Sequence, residues 1–124
     1  DGDVMLHALC NAVASALGSG SLVTYATPMA RRGVRQSGVY LKTILKKMRK
    51  ENYRIVNCAL SFECARPKID PLVAQFKKNI SRLLQIPPQC IGITATSGEG
   101  LTPFGRGEAI ACRATVLLCE AIRK

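Results

Sequence analysis

The order of elements along this chain predicts an α/β domain, layered as α+β, with a small sheet and helices packed mainly on one of its faces. Three observations carry that prediction. Three stretches repeat apolar residues at helical spacing, three shorter runs read as strands, and the order is helix, helix, strand, helix, strand, strand. With three strands visible, one edge of the sheet is left for a further strand or a neighbouring subunit.

The first helix is expected over residues 3–17. Leu6, Leu9, Val13, Ala16 and Leu17 fall at helical spacing, Asp1 or Asp3 can cap the start, and Gly18 ends it. Asp3, His7 and Asn11 share the opposite, polar stripe. His7 is the single histidine of the chain. Taken alone it reads as a surface or core residue, because one imidazole does not hold zinc without partners. Residues 18–36 show no clean period and are long for a connection, which marks a functional lid or a mobile loop. Arg31, Arg32 and Arg35 cluster there, either to meet phosphate or as solvated charges.

Ser37 is placed to cap a second helix running to Glu51, with Leu41, Ile44, Leu45 and Met48 inward and the lysines outward. Residues 53–64 alternate as a half-buried strand does. Val56, Cys58, Leu60, Phe62 and Cys64 fall on one face, and Ile55, Asn57, Ala59, Ser61 and Glu63 on the other. After a tight A-R-P-K-I-D-P connection, Asp70 as N-cap and Pro71 at the first helical position open a third helix. Its inner face is Val73, Phe76, Ile80, Leu83 and Leu84, and Pro87 and Pro88 close it. A strand over 90–96, a glycine-rich loop and a strand from 108 to about 119 complete the chain. The last run lacks clean alternation, which leaves a partly helical reading open.

A length of 124 residues supports one core, and 48% hydrophobic with 21% charged residues places the chain among globular proteins. No apolar run has the length to cross a bilayer and no charged start precedes an apolar run, so the chain reads as soluble, without membrane partner or signal peptide. The sequence opens without Met on residues that already read as a helix start, so its natural beginning is expected upstream. A net charge of +10 favours anionic partners. With three Phe, three Tyr and no Trp there is little on which to stack bases, and nucleic-acid binding loses ground. Cys10, Cys58, Cys64, Cys90, Cys112 and Cys119 sit in apolar runs without C-x-x-C spacing, as small buried hydrophobes would.

The segment from Thr94 to Cys112, T-A-T-S-G-E-G-L-T-P-F-G-R-G-E-A-I-A-C, carries the most chemistry. Gly98, Gly100, Gly105 and Gly107 let backbone approach a ligand, and Ser97, Glu99 and Arg106 sit among them. Freed N–H groups beside a hydroxyl and a guanidinium suit a phosphate, and a carboxylate suits a divalent cation. The plainer reading is a surface turn with solvated charges. The phosphate-loop pattern fails, since Arg106 and Gly107 stand where Lys and Ser or Thr belong.

Taken together, D-G-D-V-M-L-H-A-L at the start, R-P-K-I in the middle, and G-I-T-A-T-S-G-E-G-L with F-G-R-G-E-A-I-A at the end resemble the 2-C-methyl-D-erythritol 2,4-cyclodiphosphate synthase family. The resemblance covers most of the chain as a single domain, residues 1–124, without the family's N-terminal strand region. It implies a homotrimer of subunits with a mixed sheet, active sites between subunits, and a bacterial cytoplasmic or plastid setting. The implied reaction is intramolecular: the 2-phosphate of 4-diphosphocytidyl-2-C-methyl-D-erythritol 2-phosphate attacks the β-phosphorus, closes a cyclic diphosphate and expels CMP.

Residue by residue, the resemblance puts His7 at a zinc-ligand position, with an early D-x-H supplying further ligands before Asp1. Ser97, beside Thr96 and Gly98, takes the place of a hydroxyl that contacts phosphate and steadies the transition state, and Glu99 that of a ligand to a second ion, Mg or Mn. Cys64, Ala65, Arg66, Pro67, Lys68, Ile69 and Asp70 match the turn that reads cytosine. Arg106 matches a position near phosphate, or faces an anion site on the trimer axis with Glu108. The loop over 18–36 departs from the family in having no acid. Two other readings stand beside this one: a family member without activity, and a basic polyanion-binding domain.

Overall fold

The computed structural model describes residues 2–20 and 37–121. Asp1, the arginines at 31, 32 and 35, and the side chains of Asp3 and Ser37 expected as caps, lie outside the described residues. In chain order the elements are helix α1 (Gly2–Ala16), helix α2 (Ser37–Lys50), strand β1 (Tyr53–Glu63), helix α3 (Val73–Leu84), strand β2 (Ile91–Thr96) and strand β3 (Ala111–Glu120). The strands form one sheet in the order β2-β1-β3, with β1 parallel to β2 and antiparallel to β3. Parallel neighbours need a crossover, and α3 supplies it. No helix among the described residues is long and apolar enough to cross a membrane.

One face of the sheet is covered. Cys58, Leu60 and Phe62 of β1 lie beside Ile91 of β2 and Cys112, Ala114 and Val116 of β3, and all belong to the core or pack against it. α1 packs on β3 and on α2, while α3 packs on β2. Phe62 stacks on Phe76 of α3 with ring centroids 6.0 Å apart. Leu9, Leu41, Leu45, Leu60, Ile80 and Ile91 are fully buried, each worth about 1.5–3 kcal/mol of transfer free energy. The other face is open: Asn57, Ala59, Ser61, Gly92, Thr94, Arg113, Thr115 and Leu117 are all exposed.

The structure corrects the expected detail in four places. The ladder between β1 and β3 shifts between Ile55 and Asn57, so Val56 is the extra residue of a bulge. That extra residue turns Ile55 into the core, where strict alternation puts Val56. On α1 the buried stripe is Met5, Leu9, Cys10, Val13 and Ala14, with Ala16 exposed; a helix wedged between β3 and α2 buries a wider stripe than one contact requires. Asp70 does not cap α3. Leu72 holds the N-cap position of α3 without a side-chain bond, and Asp70 lies inside the short 3-10 turn Asp70–Leu72 that leads into the helix. β3 begins at Ala111, not 108, because the Glu108 amide donates to the Pro103 carbonyl at 2.9 Å inside the glycine loop. Once begun, β3 is strand throughout.

Helix ends follow the chemistry of their residues. Asn52, with φ 66°, takes the left-handed position after α2, and its carbonyl accepts from the Ala121 amide at 2.7 Å. Gln85 does the same after α3 with φ 58°, before Pro87 and Pro88 bar further helix.

Candidate active site

Because β1 and β2 run parallel, their carboxyl ends meet at one edge of the sheet, the place where open α/β sheets bind ligands. The ladder continues past both strands: the Cys64 amide donates to the Thr96 carbonyl at 3.1 Å, and the Ala65 amide to the Phe104 carbonyl at 3.0 Å. Between the two ends lies a cavity of about 290 Å³. Cys64, Ala65, Pro67, Lys68, Ile69 and Asp70 line it from one side, with Ala95, Thr96 and Ser97 opposite. Two segments singled out in the sequence, far apart along the chain, thus form the walls of a single site. The Cys64 thiol is turned toward the Pro67 carbonyl, 3.7 Å away.

The glycine loop is built differently from expectation. The amides of residues 98–101 are not free for an anion. The Gly98 amide donates to Thr96 Oγ1 at 2.9 Å, the Glu99 amide to Ser97 Oγ at 3.2 Å, and those of Gly100 and Leu101 to the carbonyls of Ser97 and Gly98. A hydroxyl that accepts still has a proton to donate, so Thr96 and Ser97, which line the cavity, each keep an O–H group, and Lys68 lines the facing wall. Glu99 sits at φ 55° in the 3-10 turn Gly98–Gly100, its side chain exposed. Arg106 points elsewhere: its guanidinium meets the Glu108 carboxylate at 3.2 Å on the surface. Arg66, Gly98, Glu99 and Arg106 are not part of the cavity wall. The Arg66 guanidinium lies against Gly107 instead, 3.3 Å from where a Cβ would stand.

Two residues of the loop's anchorage escaped the sequence reading. Thr102 donates its hydroxyl to the Glu63 carboxylate, and Thr102 Oγ1 accepts from the Gly105 amide at 3.0 Å. Gly105 itself packs so closely that a Cβ would fall 2.0 Å from the Ser97 carbonyl oxygen. The one sequence signal was an acid ending a strand face on which Asn57, Ala59 and Ser61 precede it.

His7 is exposed on α1, and among the described residues no group of three His, Cys, Asp or Glu is placed to hold a metal ion. His7 supplies one imidazole, and a zinc site needs further ligands beside it. Glu99 is a different case. Magnesium binds through one or two carboxylates together with substrate phosphates, and an exposed carboxylate that makes no ion pair among the described residues, two residues along the chain from Ser97 of the cavity wall, fits that mode.

A family model described as the YgbB family matches residues 1–119. The chain belongs to the YgbB family. Among its relatives, the 2-C-methyl-D-erythritol 2,4-cyclodiphosphate synthase of Xylella fastidiosa (strain 9a5c) is 39% identical over 119 residues, covering 95% of this chain and 68% of the relative. The synthase of the same name from Chlamydia trachomatis serovar L2b is 38% identical over 124 residues, 99% of this chain and 69% of the relative. Among solved structures, IspF of Plasmodium falciparum in a CDP complex superposes with a TM-score of 0.84 at 27% identity, over 96% of this chain and 72% of that one. The bifunctional IspDF of Campylobacter jejuni superposes with a TM-score of 0.86 at 27% identity, over 97% of this chain and 33% of that one. The mixed sheet with helices on one face is thus the YgbB fold, as the sequence motifs implied.

Proposed function

We propose that this YgbB-family chain is a 2-C-methyl-D-erythritol 2,4-cyclodiphosphate synthase, a phosphorus–oxygen lyase of non-mevalonate isoprenoid biosynthesis. Its substrate is 4-diphosphocytidyl-2-C-methyl-D-erythritol 2-phosphate. An oxygen of the 2-phosphate forms a bond to the β-phosphorus, the bond from that phosphorus to the bridging oxygen breaks, and CMP leaves with the electron pair. Nothing is oxidised and no water is consumed. The observation that carries this reading is the cavity itself, which joins the 64–70 turn to Thr96 and Ser97.

Phosphoryl transfer of this kind needs alignment and charge neutralisation more than covalent help. The turn from Cys64 to Asp70 holds the cytidine end, with Lys68 as its cation. Thr96 and Ser97 donate O–H groups to the diphosphate oxygens, where negative charge gathers as the ring closes. Glu99 would hold a divalent cation, Mg or Mn, jointly with the diphosphate; such an ion supplies Lewis-acid polarisation of the phosphoryl oxygens when bound. No step is assigned to zinc or to His7. Arg106, engaged with Glu108, belongs to the loop's outer surface. The open sheet face, with Leu117 54% exposed, supports assembly into the homotrimer of the family, because an apolar residue set among small ones on a flat face gains by being covered.

Two measurements test the reading. Titration with CMP is expected to saturate, and CMP release from the diphosphocytidyl substrate is expected to require a divalent cation. CMP binding without release in the presence of Mg2+ would leave a nucleotide-binding relative and overturn the catalytic assignment.

A further inference from the structure

Ser97 and Glu99 stand on a turn with little burial behind it: no residue from 97 to 110 is buried. Segments of that kind open locally unless polar contacts hold them. Here the contacts form a continuous chain. Glu63 is the last residue of β1, paired with Thr96 of β2 on one side and Ala111 of β3 on the other, so its backbone is fixed from both sides. Its carboxylate accepts the Thr102 hydroxyl. Thr102 Oγ1 accepts the Gly105 amide at 3.0 Å, and Gly105 rests against the Ser97 carbonyl with no space for a side chain. The same carboxylate lies under Gly98, with an oxygen 3.2 Å from where a Cβ would stand.

We infer that Glu63 is a positioning residue for the proposed cyclisation: through Thr102 and Gly105 it locks the Ser97–Gly100 turn to the rigid centre of the sheet. Its carboxylate is outside the cavity wall, so it does not touch the substrate. It acts on where the Ser97 hydroxyl and the Glu99 carboxylate stand. The 64–70 turn is held independently by the Cys64–Thr96 ladder, while the Ala65 amide reaches the Phe104 carbonyl of the loop itself. Loosening the Glu63 tether therefore separates positioning of the diphosphate from binding of the nucleotide. This inference rests on the proposed function for its catalytic consequence, while its structural content can be measured without substrate.

The test compares Glu63→Ala, Glu63→Gln and Thr102→Val with the unaltered protein. Misplacement of a reacting group by about an ångström costs on the order of 100-fold in rate, so kcat of Glu63→Ala is expected to fall about 10- to 100-fold. CMP affinity and Tm should stay close to those of the unaltered protein. Glu63→Gln keeps an acceptor for Thr102 and is expected to restore kcat to within about 3-fold, because the tether is a hydrogen bond and not a charge. Thr102→Val should be at least as slow as Glu63→Ala, since it also takes the acceptor from the Gly105 amide, and the double variant should be no slower than Thr102→Val. Hydrogen exchange of the Gly98–Leu101 amides should quicken in Glu63→Ala and Thr102→Val, and not in Glu63→Gln. Unchanged exchange and kcat in Glu63→Ala would overturn the inference. So would a Glu63→Gln variant as slow as Glu63→Ala. If the unaltered protein itself turns over no substrate, the proposed function fails, and the exchange comparison still decides the tether.

Discussion

Ser97 Oγ accepts the Glu99 amide with one lone pair while the residue lines the cavity, so in the proposed function a single hydroxyl both shapes the turn and meets the diphosphate. Ser97→Ala is expected to lower kcat by about 100-fold, the cost of losing one preorganised donor at a developing anion, while CMP binding and the fold persist. Ser97→Thr should retain most activity. Glu99→Gln removes the charge without the volume; turnover should fall by a factor of 10 or more and demand far higher Mg2+, measured as a metal titration of rate. Gly105→Ala drives a Cβ into the Ser97 carbonyl, so it should slow turnover even though residue 105 lies outside the cavity wall. The residue types of the site were legible in the sequence because hydroxyl, acid and small residues recur together in the glycine loop. Their hydrogen bonds were not. Nothing in T-S-G-E says that Thr96 and Ser97 take up the loop's own amides, which removes the free N–H groups that such a loop otherwise offers an anion.

The elements themselves were largely readable from apolar period, and the misreadings have local causes. The bulge at Val56 has no signature in an alternating run, yet it decides that Ile55 and not Val56 is buried. β3 carries intermediate burial at alternate positions, which blurred its pattern, but pairing with β1 leaves it no other conformation. Pairing also places Cys58 and Cys112 on the covered face, where burial pushes both thiols up to about 11, with Cys112 adding to the rise at Cys58. Both should resist alkylation by iodoacetamide at pH 7.5, since the thiolate is the reactive form. The stability consequence has a definite sign. With folded pKa values above the ordinary 9.0, the folded chain holds these protons more tightly than the unfolded one, so stability is complete below about pH 9 and declines as pH rises toward 11. Urea midpoints measured from pH 7 to 11 should be level and then fall, and Cys58→Ala with Cys112→Ala should flatten that decline.

At the scale of the molecule, the two sheet faces have different tasks. One is sealed by three helices, and the other presents Leu117 amid small and polar side chains. In the proposed homotrimer that face is buried between copies, so sedimentation should give a species near three times the 13.4 kDa chain. Leu117→Glu should return it toward one, because a charge buried without a partner opposes association. That one face would be open followed from the order of elements, which predicted helices packed mainly on the other. Which residues would occupy it required the register. The account as a whole rests on the cavity between the ends of β1 and β2 folding one substrate onto itself. The most direct test is a 31P spectrum of the diphosphocytidyl substrate recorded during incubation with the protein and Mg2+. The account predicts a cyclic diphosphate and CMP rising together in equal amounts, with Ser97→Ala slowing both. CMP appearing with an open-chain phosphate, or a spectrum that never changes, would contradict it.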